Sequence, residues 1–156
     1  MKRILGVDPG MVTGFGVVTA DFKAVDYGTI RPPQKKRLSE RRRIIFEGIG
    51  HLIETYRPDA IAIETQFVNK NIRSAFGVHA TAGVITLAAT LRDIPVYEYA
   101  PSKAKIAVTG KGLASKEQMQ AMVARLLSLP EYPPSDAADA LALAICHLHA
   151  FNPQEV

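Results

Sequence analysis

The apolar positions of this chain recur with two different periods, and the changes between them predict the elements of the fold. Apolar runs of strand length, bounded by turn residues, alternate with longer stretches whose apolar side chains recur at helical spacing. The predicted strands cover residues 3–8, 15–20, 23–30, 60–65 and 95–99, and the predicted helices cover residues 39–56, 72–91, a stretch between Ser115 and Pro130, and residues 135–150. Three strands followed by alternating helices and strands predict an α/β fold, with a mixed five-stranded sheet and helices on both faces.

Polar residues support the starts of three predicted helices. Ser39 and Ser135 are in position to act as N-caps, and Ser115-x-x-Gln118 matches a capping box. Residues 100–116, by contrast, carry glycines at positions 110 and 112, and they are predicted to form a mobile loop.

Composition narrows the class of protein. A length of 156 residues suits a single domain spanning residues 1–156, and a hydrophobic content of 47% excludes a disordered chain. The net charge of +4 and the pI of about 9.3 fit an anionic partner such as nucleic acid, although many globular proteins share this balance. The single cysteine, Cys146, and the absence of a signal peptide predict a cytoplasmic protein. Residues 74–91 carry no formal charge over the length of a membrane span, but His79 and several threonines indicate a buried helix instead.

Four carboxylates stand at positions that favour a shared site. Asp8 and Glu64 close the first and fourth predicted strands, and open α/β sheets build their sites at the carboxyl ends of strands. Asp136 and Asp139 are three residues apart in the first turns of the last helix, so they share one helix face. Each acid alone has an ordinary explanation, as a turn residue, a solvated strand end or a helix-terminal charge.

Of the four acids, Asp139 gives the strongest indication of a functional site. It lies on an otherwise apolar helix, where an unpaired carboxylate is costly and Asp136 would repel it. A divalent cation would satisfy both acids, and oxygen ligands without cysteine or histidine spacing favour Mg²⁺ or Mn²⁺ over zinc. If Asp8 and Glu64 converge on this helix, two metal ions could act on one phosphodiester. Periodicity alone does not establish that convergence.

Two basic segments are candidates for contact with phosphates. Residues 100–116 contain no acid and four lysines, Lys103, Lys105, Lys111 and Lys116, all of them candidate DNA-binding residues. Residues 35–43 contain two further lysines and four arginines. A solvated surface is the alternative explanation for both segments.

Several motifs, taken in order, resemble those of the RuvC family of Holliday-junction resolvases. They are Ile4-Leu5-Gly6-Val7-Asp8-Pro9-Gly10 with Thr13-Gly14-Phe15-Gly16-Val17, Ala62-Ile63-Glu64-Thr65-Gln66-Phe67 with Asn69-Lys70-Asn71, Pro95-Val96-Tyr97-Glu98-Tyr99-Ala100-Pro101, Lys116-Glu117-Gln118, and Ser135-Asp136-Ala137-Ala138-Asp139-Ala140-Leu141-Ala142. The resemblance spans residues 3–149. The turn from Asp8 to Gly14 is one residue shorter than the family pattern leads us to expect.

The resemblance implies a ribonuclease H-like fold and a homodimer that makes paired symmetric nicks in four-way DNA junctions, leaving 5′-phosphate and 3′-hydroxyl ends, in recombination and repair. It implies that four acids bind the catalytic Mg²⁺, with two ions in each site and Mn²⁺ as a substitute, namely Asp8, Glu64, Asp136 and Asp139. It also places Lys105 and Lys116 near the scissile phosphate, and it assigns Phe67 to stacking on unpaired bases at the crossover. The RuvA–RuvB branch-migration complex is the implied protein partner, and the implied location is the bacterial nucleoid.

Three alternatives remain open at this point. Another nuclease of the same fold, acting on RNA–DNA hybrids or branched DNA, would share the four acids. An ATP-binding domain of the actin or sugar-kinase type also opens with Asp-x-Gly and a hairpin, but such proteins duplicate the domain and this chain shows no repeat. A non-catalytic junction-binding protein has no electrostatic reason to cluster acids where phosphates bind.

Overall fold

The computed structural model describes residues 2–65 and 72–150, and for residues 72–75 the backbone alone. In chain order the elements are β1 Arg3–Asp8, β2 Thr13–Thr19, β3 Ala24–Ile30, α1 Leu38–Tyr56, β4 Ala60–Glu64, α2 Ile72–Thr90, β5 Val96–Tyr99, α3 Pro101–Thr109, α4 Lys116–Leu126 and α5 Ser135–Ala150. All five predicted strands and all four predicted helices are present, and α3 is an additional helix.

The five strands form one mixed sheet with the order β3-β2-β1-β4-β5. β1, β2 and β3 pair as an antiparallel meander, whereas β4 and β5 are parallel to β1 and to each other. The carboxyl ends of β1, β3, β4 and β5 therefore lie at one edge of the sheet, which we call the carboxyl edge. The predicted α/β class and mixed topology are confirmed.

Helices cover both faces of the sheet, as the sequence predicts. Alternate strand residues point to opposite faces. One face, which includes Leu5, Val7 and Ile61, packs with α1 and α2 in one core cluster. The other face, which includes Ile4 and Ala62, packs with α3, α4 and α5 in a second cluster. Helix α5 is the most enclosed helix, and every residue from 140 to 148 on it is buried.

Helix α5 rests directly on the backbone of the sheet, because three strand glycines lie beneath it. A Cβ atom added to Gly6 would lie 1.9 Å from the Ala140 carbonyl oxygen, and one added to Gly14 would lie 2.1 Å from the Asp136 carbonyl oxygen. A Cβ atom on Gly16, which pairs with Gly6, would lie 2.5 Å from Leu141. We call these three residues the glycine floor. A glycine inside a strand commonly marks such a close approach of another backbone.

Four helices begin at the carboxyl edge. α1 follows β3, α2 follows β4 and α3 follows β5, so each starts beyond a strand that ends at this edge. α5 has the same direction, since Asp136 lies over Gly14 beside the end of β1, whereas Ala144 lies over Gly6 farther back along that strand. The carboxyl edge thus gathers the amino-terminal ends of α1, α2, α3 and α5.

Three local predictions are wrong. Ser135 is the first residue of α5 and not its N-cap. The N-cap of α1 is Arg37, which makes no side-chain capping hydrogen bond, so Ser39 lies inside the helix. The first half of the predicted loop at residues 100–116 is helix α3, which starts with Pro101 at its first turn and ends at Gly110 in a left-handed conformation. Proline at a helix start and glycine just beyond its end are favourable because neither breaks an internal hydrogen bond. The predicted capping box at Ser115 and Gln118 is confirmed.

Among the helices that the structure describes, none combines the length and apolar character that a membrane crossing requires.

Candidate active site

The sheet brings Asp8 and Glu64 side by side. Val7 pairs with Ile63 in the parallel register of β1 and β4, so the next residue on each strand is one of these acids. Adjacent strands are about 4.8 Å apart, which places the two Cα atoms at about that separation. Asp8 and Glu64 follow Gly6 and Ala62 by two residues, so both acids belong to the face that carries α5.

The glycine floor brings the other two acids to the same place. Because nothing but hydrogen separates the Gly14 Cα from the backbone at Asp136, the first turn of α5 lies against the start of β2, and Gly14 pairs with Asp8. Asp139 follows one helical turn later on the same side of α5. The convergence on which the metal hypothesis depends is therefore present.

The four acids line one open cleft of about 430 Å³. The remaining lining residues come from the β1–β2 turn, α3 and α4: Pro9, Gly10, Val12, Pro101, Ala104, Lys105 and Met119. In that turn the Thr13 hydroxyl donates to the Gly10 carbonyl at 2.5 Å. The wall made by Pro101, Ala104 and Met119 was missed in the sequence, because its apolar positions alone do not distinguish it from core.

Burial and mutual repulsion shape the charge of this cleft. Burial, followed by the charges of Glu64 and Asp139, a hydrogen bond with the Glu64 side chain, and the charge of Asp136, raises the pKa of Asp8 to about 8. Burial, with the charges of Glu64 and Asp136, raises the pKa of Asp139 to about 6. Without a cation, therefore, these acids cannot all ionise together near neutral pH.

Two of the four candidate lysines act on the cleft. Lys105 lines it, and the positive charges of Lys105 and Lys116 lower the pKa of Asp139, against the larger opposing effects. Lys103 is placed elsewhere, with its Nζ 5.5 Å from the centre of the Tyr99 ring. Lys111 is exposed just beyond the end of α3, where its backbone N–H donates to the Thr109 hydroxyl.

The donor set fits a hard divalent cation. Four carboxylates supply oxygen ligands alone, which is the preference of Mg²⁺, Mn²⁺ and Ca²⁺. Burial first, and then repulsion among the acids, raise the pKa values of Asp8 and Asp139, so a bound cation would favour the ionised forms of both. Within residues 2–65 and 72–150, no three histidine, cysteine or acidic side chains are grouped tightly enough to hold one ion. The acids thus line the cleft without closing around a single point.

Other predicted residues lie away from the acids. Phe67 lies outside the described residues. His147 is buried, and its Nδ1 lies 2.6 Å from the Tyr99 hydroxyl, so it is part of the core. Cys146 is buried as well.

Comparison with known proteins then decides the family. The family model described as "Crossover junction endodeoxyribonuclease RuvC" matches residues 4–147. This chain belongs to the RuvC family. A family member from Protochlamydia amoebophila, named crossover junction endodeoxyribonuclease RuvC, is 56% identical over 149 residues, which are 92% of this chain and 89% of the relative.

Solved structures of the RuvC family show the same fold. RuvC of Thermus thermophilus superposes with a TM-score of 0.85 at 32% identity, over 95% of each chain. RuvC of the same organism in complex with a Holliday junction substrate superposes with a TM-score of 0.87 at 32% identity, over 99% of this chain and 96% of that one. The predicted ribonuclease H-like fold is confirmed, and this chain is a nuclease of a family that uses divalent metal.

Proposed function

We propose that this chain resolves four-way DNA junctions by paired symmetric nicks, through metal-dependent phosphodiester hydrolysis that leaves 5′-phosphate and 3′-hydroxyl ends. The observation that carries the proposal is the convergence of Asp8, Glu64, Asp136 and Asp139 in one cleft, beside Lys105. The junction substrate bound by Thermus thermophilus RuvC supports four-way DNA as the ligand, given the shared fold.

The acids and lysines have different roles in this proposal. Asp8, Glu64, Asp136 and Asp139 would hold Mg²⁺, for which Mn²⁺ can substitute, with two ions in each site. Bound metal supplies charge that stabilises the negative oxygens of the reacting phosphodiester and activates water. Lys105 lines the cleft and Lys116 begins α4 beside it, so both side chains can bind phosphate oxygens and stabilise charge that develops in the transition state.

The sheet supplies the rigidity that such a site needs. Asp8 and Glu64 terminate paired strands, and the Thr65 N–H donates to the Tyr99 carbonyl at 2.8 Å, which fixes the end of β4 against β5. The glycine floor fixes α5, and with it Asp136 and Asp139, against the same strands. Catalytic groups on strands and helices hold their positions better than groups on loops do.

The exposed side of α2 supports a homodimer. Phe76, Leu87 and Leu91 are 64%, 53% and 63% exposed, and their spacing places them on one side of the helix. A Cβ atom on Gly83, between them, would meet nothing within 4 Å. A second copy packed here would relate two clefts by a two-fold axis, as two opposing nicks require. In sedimentation experiments, we expect Leu87→Glu to be a monomer. Wild type and the control variant Leu126→Glu should both be dimers.

Other expectations from the sequence have no structural test and stay predictions. They are the single domain over residues 1–156, contact of Phe67, Lys103 and Lys111 with DNA, the RuvA–RuvB complex as partner, and a cytoplasmic, nucleoid-associated location.

The decisive experiment is cleavage of an end-labelled synthetic four-way junction with Mg²⁺, beside a linear duplex, a branched duplex and an RNA–DNA hybrid. We expect symmetric paired cuts in the junction alone, and no cuts with EDTA or in the Asp8→Asn variant. Equal cutting of all substrates, or preference for the hybrid, would replace this proposal by another nuclease activity of the same fold.

A further inference from the structure

Two aliphatic side chains are exposed together between α3 and α4. Leu113 is 98% exposed, and Ile106 on α3 is 54% exposed. The Ile106 Cδ1 atom lies 3.7 Å from the position that a Cβ on Gly112 would take, so the two side chains flank one bare glycine. We call Ile106, Gly112 and Leu113 the apolar tip. Isolated exposed leucines are common, but one that is almost fully exposed beside a second aliphatic residue calls for an explanation.

The apolar tip is anchored on both sides. Before it, the Thr109 hydroxyl lies 2.8 Å from the Lys105 carbonyl, and it accepts the Lys111 N–H at 3.1 Å. After it, Ala114 is buried in the core and Ser115 begins the capping box of α4. Leu113 is therefore held out in solvent by ordered neighbours, which lowers the entropic cost of using it in a contact.

Leu113 is joined to the cleft through Lys116, which it precedes by three residues and whose positive charge acts on Asp139. Ile106 follows Lys105, which lines the cleft, but its side chain lies on another side of α3. Three residues span at most about 11 Å, which is the rise of about three nucleotides along one strand. A strand with its phosphate at the acids would therefore have neighbouring nucleotides within reach of the tip.

The charge of the segment that carries the apolar tip favours a polyanion as its ligand. Residues 100–116 contain four lysines and no acidic side chain. A protein partner with an apolar surface needs no such charge, whereas DNA offers phosphates to the lysines and apolar base faces to the aliphatic side chains. In a duplex those faces are covered by stacking, and they become accessible where a base is unstacked.

We propose that Leu113 and Ile106 pack against an unstacked base or its deoxyribose next to the cleavage site, and thereby add to selectivity for junctions over duplex. The inference rests on the proposed nuclease function and extends it to substrate selection. Phosphate contacts by lysines bind every DNA form, whereas the tip contributes where base faces are open.

The test compares Leu113→Ser with wild type, with Leu113→Met, which keeps an apolar side chain, and with Leu126→Ser, which changes a partly exposed leucine at the far end of α4. Binding to a fluorescent four-way junction and to a linear duplex is measured in EDTA over a series of salt concentrations. A second junction carries 2-aminopurine at positions within three nucleotides of the cut, where its fluorescence reports unstacking.

Leu113→Ser should weaken junction binding roughly fivefold, as expected for losing part of a leucine's burial. Duplex binding and the salt dependence should stay at the wild-type level, because no phosphate contact is lost. The 2-aminopurine signal should fall in Leu113→Ser, whereas Leu113→Met and Leu126→Ser should behave as wild type. Thermal unfolding should be unchanged, since Leu113 has almost no contacts to lose.

Equal junction affinity of Leu113→Ser and wild type would overturn the inference, and so would equal weakening on junction and duplex. An effect seen solely when branch-migration proteins are added would assign the tip to a protein partner and overturn it too. If wild-type protein itself shows no preference for the junction, the proposed function fails together with the inference. If wild type prefers the junction and Leu113→Ser keeps that preference, the inference about the apolar tip is wrong, and the proposed function is unaffected.

Discussion

Gly14→Ala should separate the two pairs of acids without changing any acid. The added Cβ atom would lie 2.1 Å from the Asp136 carbonyl oxygen and 3.3 Å from the Asp136 Cβ, whereas ordinary contact begins at 3.4 Å. The start of α5 must therefore retreat from β2 by about 1.3 Å. Its obstacle is backbone, so no side-chain rotation can relieve the contact.

This displacement of α5 should lower both the stability of the protein and its rate of cleavage. Overpacking of this kind lowers the free energy of unfolding by about 1–3 kcal/mol. Because Asp136 and Asp139 move with α5 while Asp8 and Glu64 stay on the sheet, cleavage should suffer more than folding does. Displacement of catalytic groups by about 1 Å lowers rates on the order of a hundredfold.

Gly28→Ala is the matched control. Gly28 is also a strand glycine, but a Cβ there would meet the tip of the Phe15 ring at 3.2 Å, and a side chain can move aside by that small distance. The assay is urea unfolding together with kcat/KM for junction cleavage, measured well below the midpoint of thermal unfolding. If Gly14→Ala cleaves at the rate of Gly28→Ala, the spacing between sheet and α5 does not control the chemistry, and our explanation of the glycine floor is wrong.

Four further predictions address the cleft itself. Asp139→Asn should abolish cleavage yet leave junction affinity unchanged in a gel-shift assay, because binding depends on basic residues; loss of both together would contradict that division. Lys105→Ala should reduce kcat on the order of a hundredfold through lost transition-state stabilisation, whereas Lys111→Ala, outside the cleft, should change kcat little. The pKa of Asp8 near 8 means that the folded, metal-free protein keeps a proton that the unfolded chain loses near pH 4, so its stability in EDTA should fall as pH rises from about 4 to 8. Metal binding at pH 7 should then release protons, measurable by calorimetry in buffers of different ionisation enthalpy, and equal heats in all buffers would refute this assignment.

The positions of the acids could be predicted from the sequence because they depend on rules of topology. Asp8 and Glu64 close buried strands. The antiparallel meander makes β3 parallel to β1, and the crossover through α1 makes β4 parallel to β3, so β1 and β4 end at one edge. Asp136 and Asp139 share a side of α5 through helical spacing alone. The periodicity of apolar residues did not predict the distance between the strand pair, Asp8 and Glu64, and the helix pair, Asp136 and Asp139.

That distance is set by the glycine floor, which did leave a signal in the sequence. Gly6, Gly14 and Gly16 interrupt strands rich in apolar residues, and a glycine within a strand indicates close approach of another backbone. The pairing of Gly6 with Gly16 can be recognised only once the register is known. Helix α3 was missed for a different reason, since its nine residues carry a weak apolar period and the glycines at 110 and 112 indicated a loop.

The arrangement of helices at the carboxyl edge has a consequence for how the protein attracts DNA. Each helix start carries the equivalent of about half a positive elementary charge, from N–H groups that lack partners within the helix. Two such starts, those of α3 and α5, lie beside the cleft, whereas α1 and α2 start at the same end of the sheet on its other face. This part of the attraction resides in the main chain, so it neither titrates nor disappears when lysines are replaced. A variant stripped of its basic side chains would keep this main-chain contribution, which acts on phosphates within about one turn of each helix start.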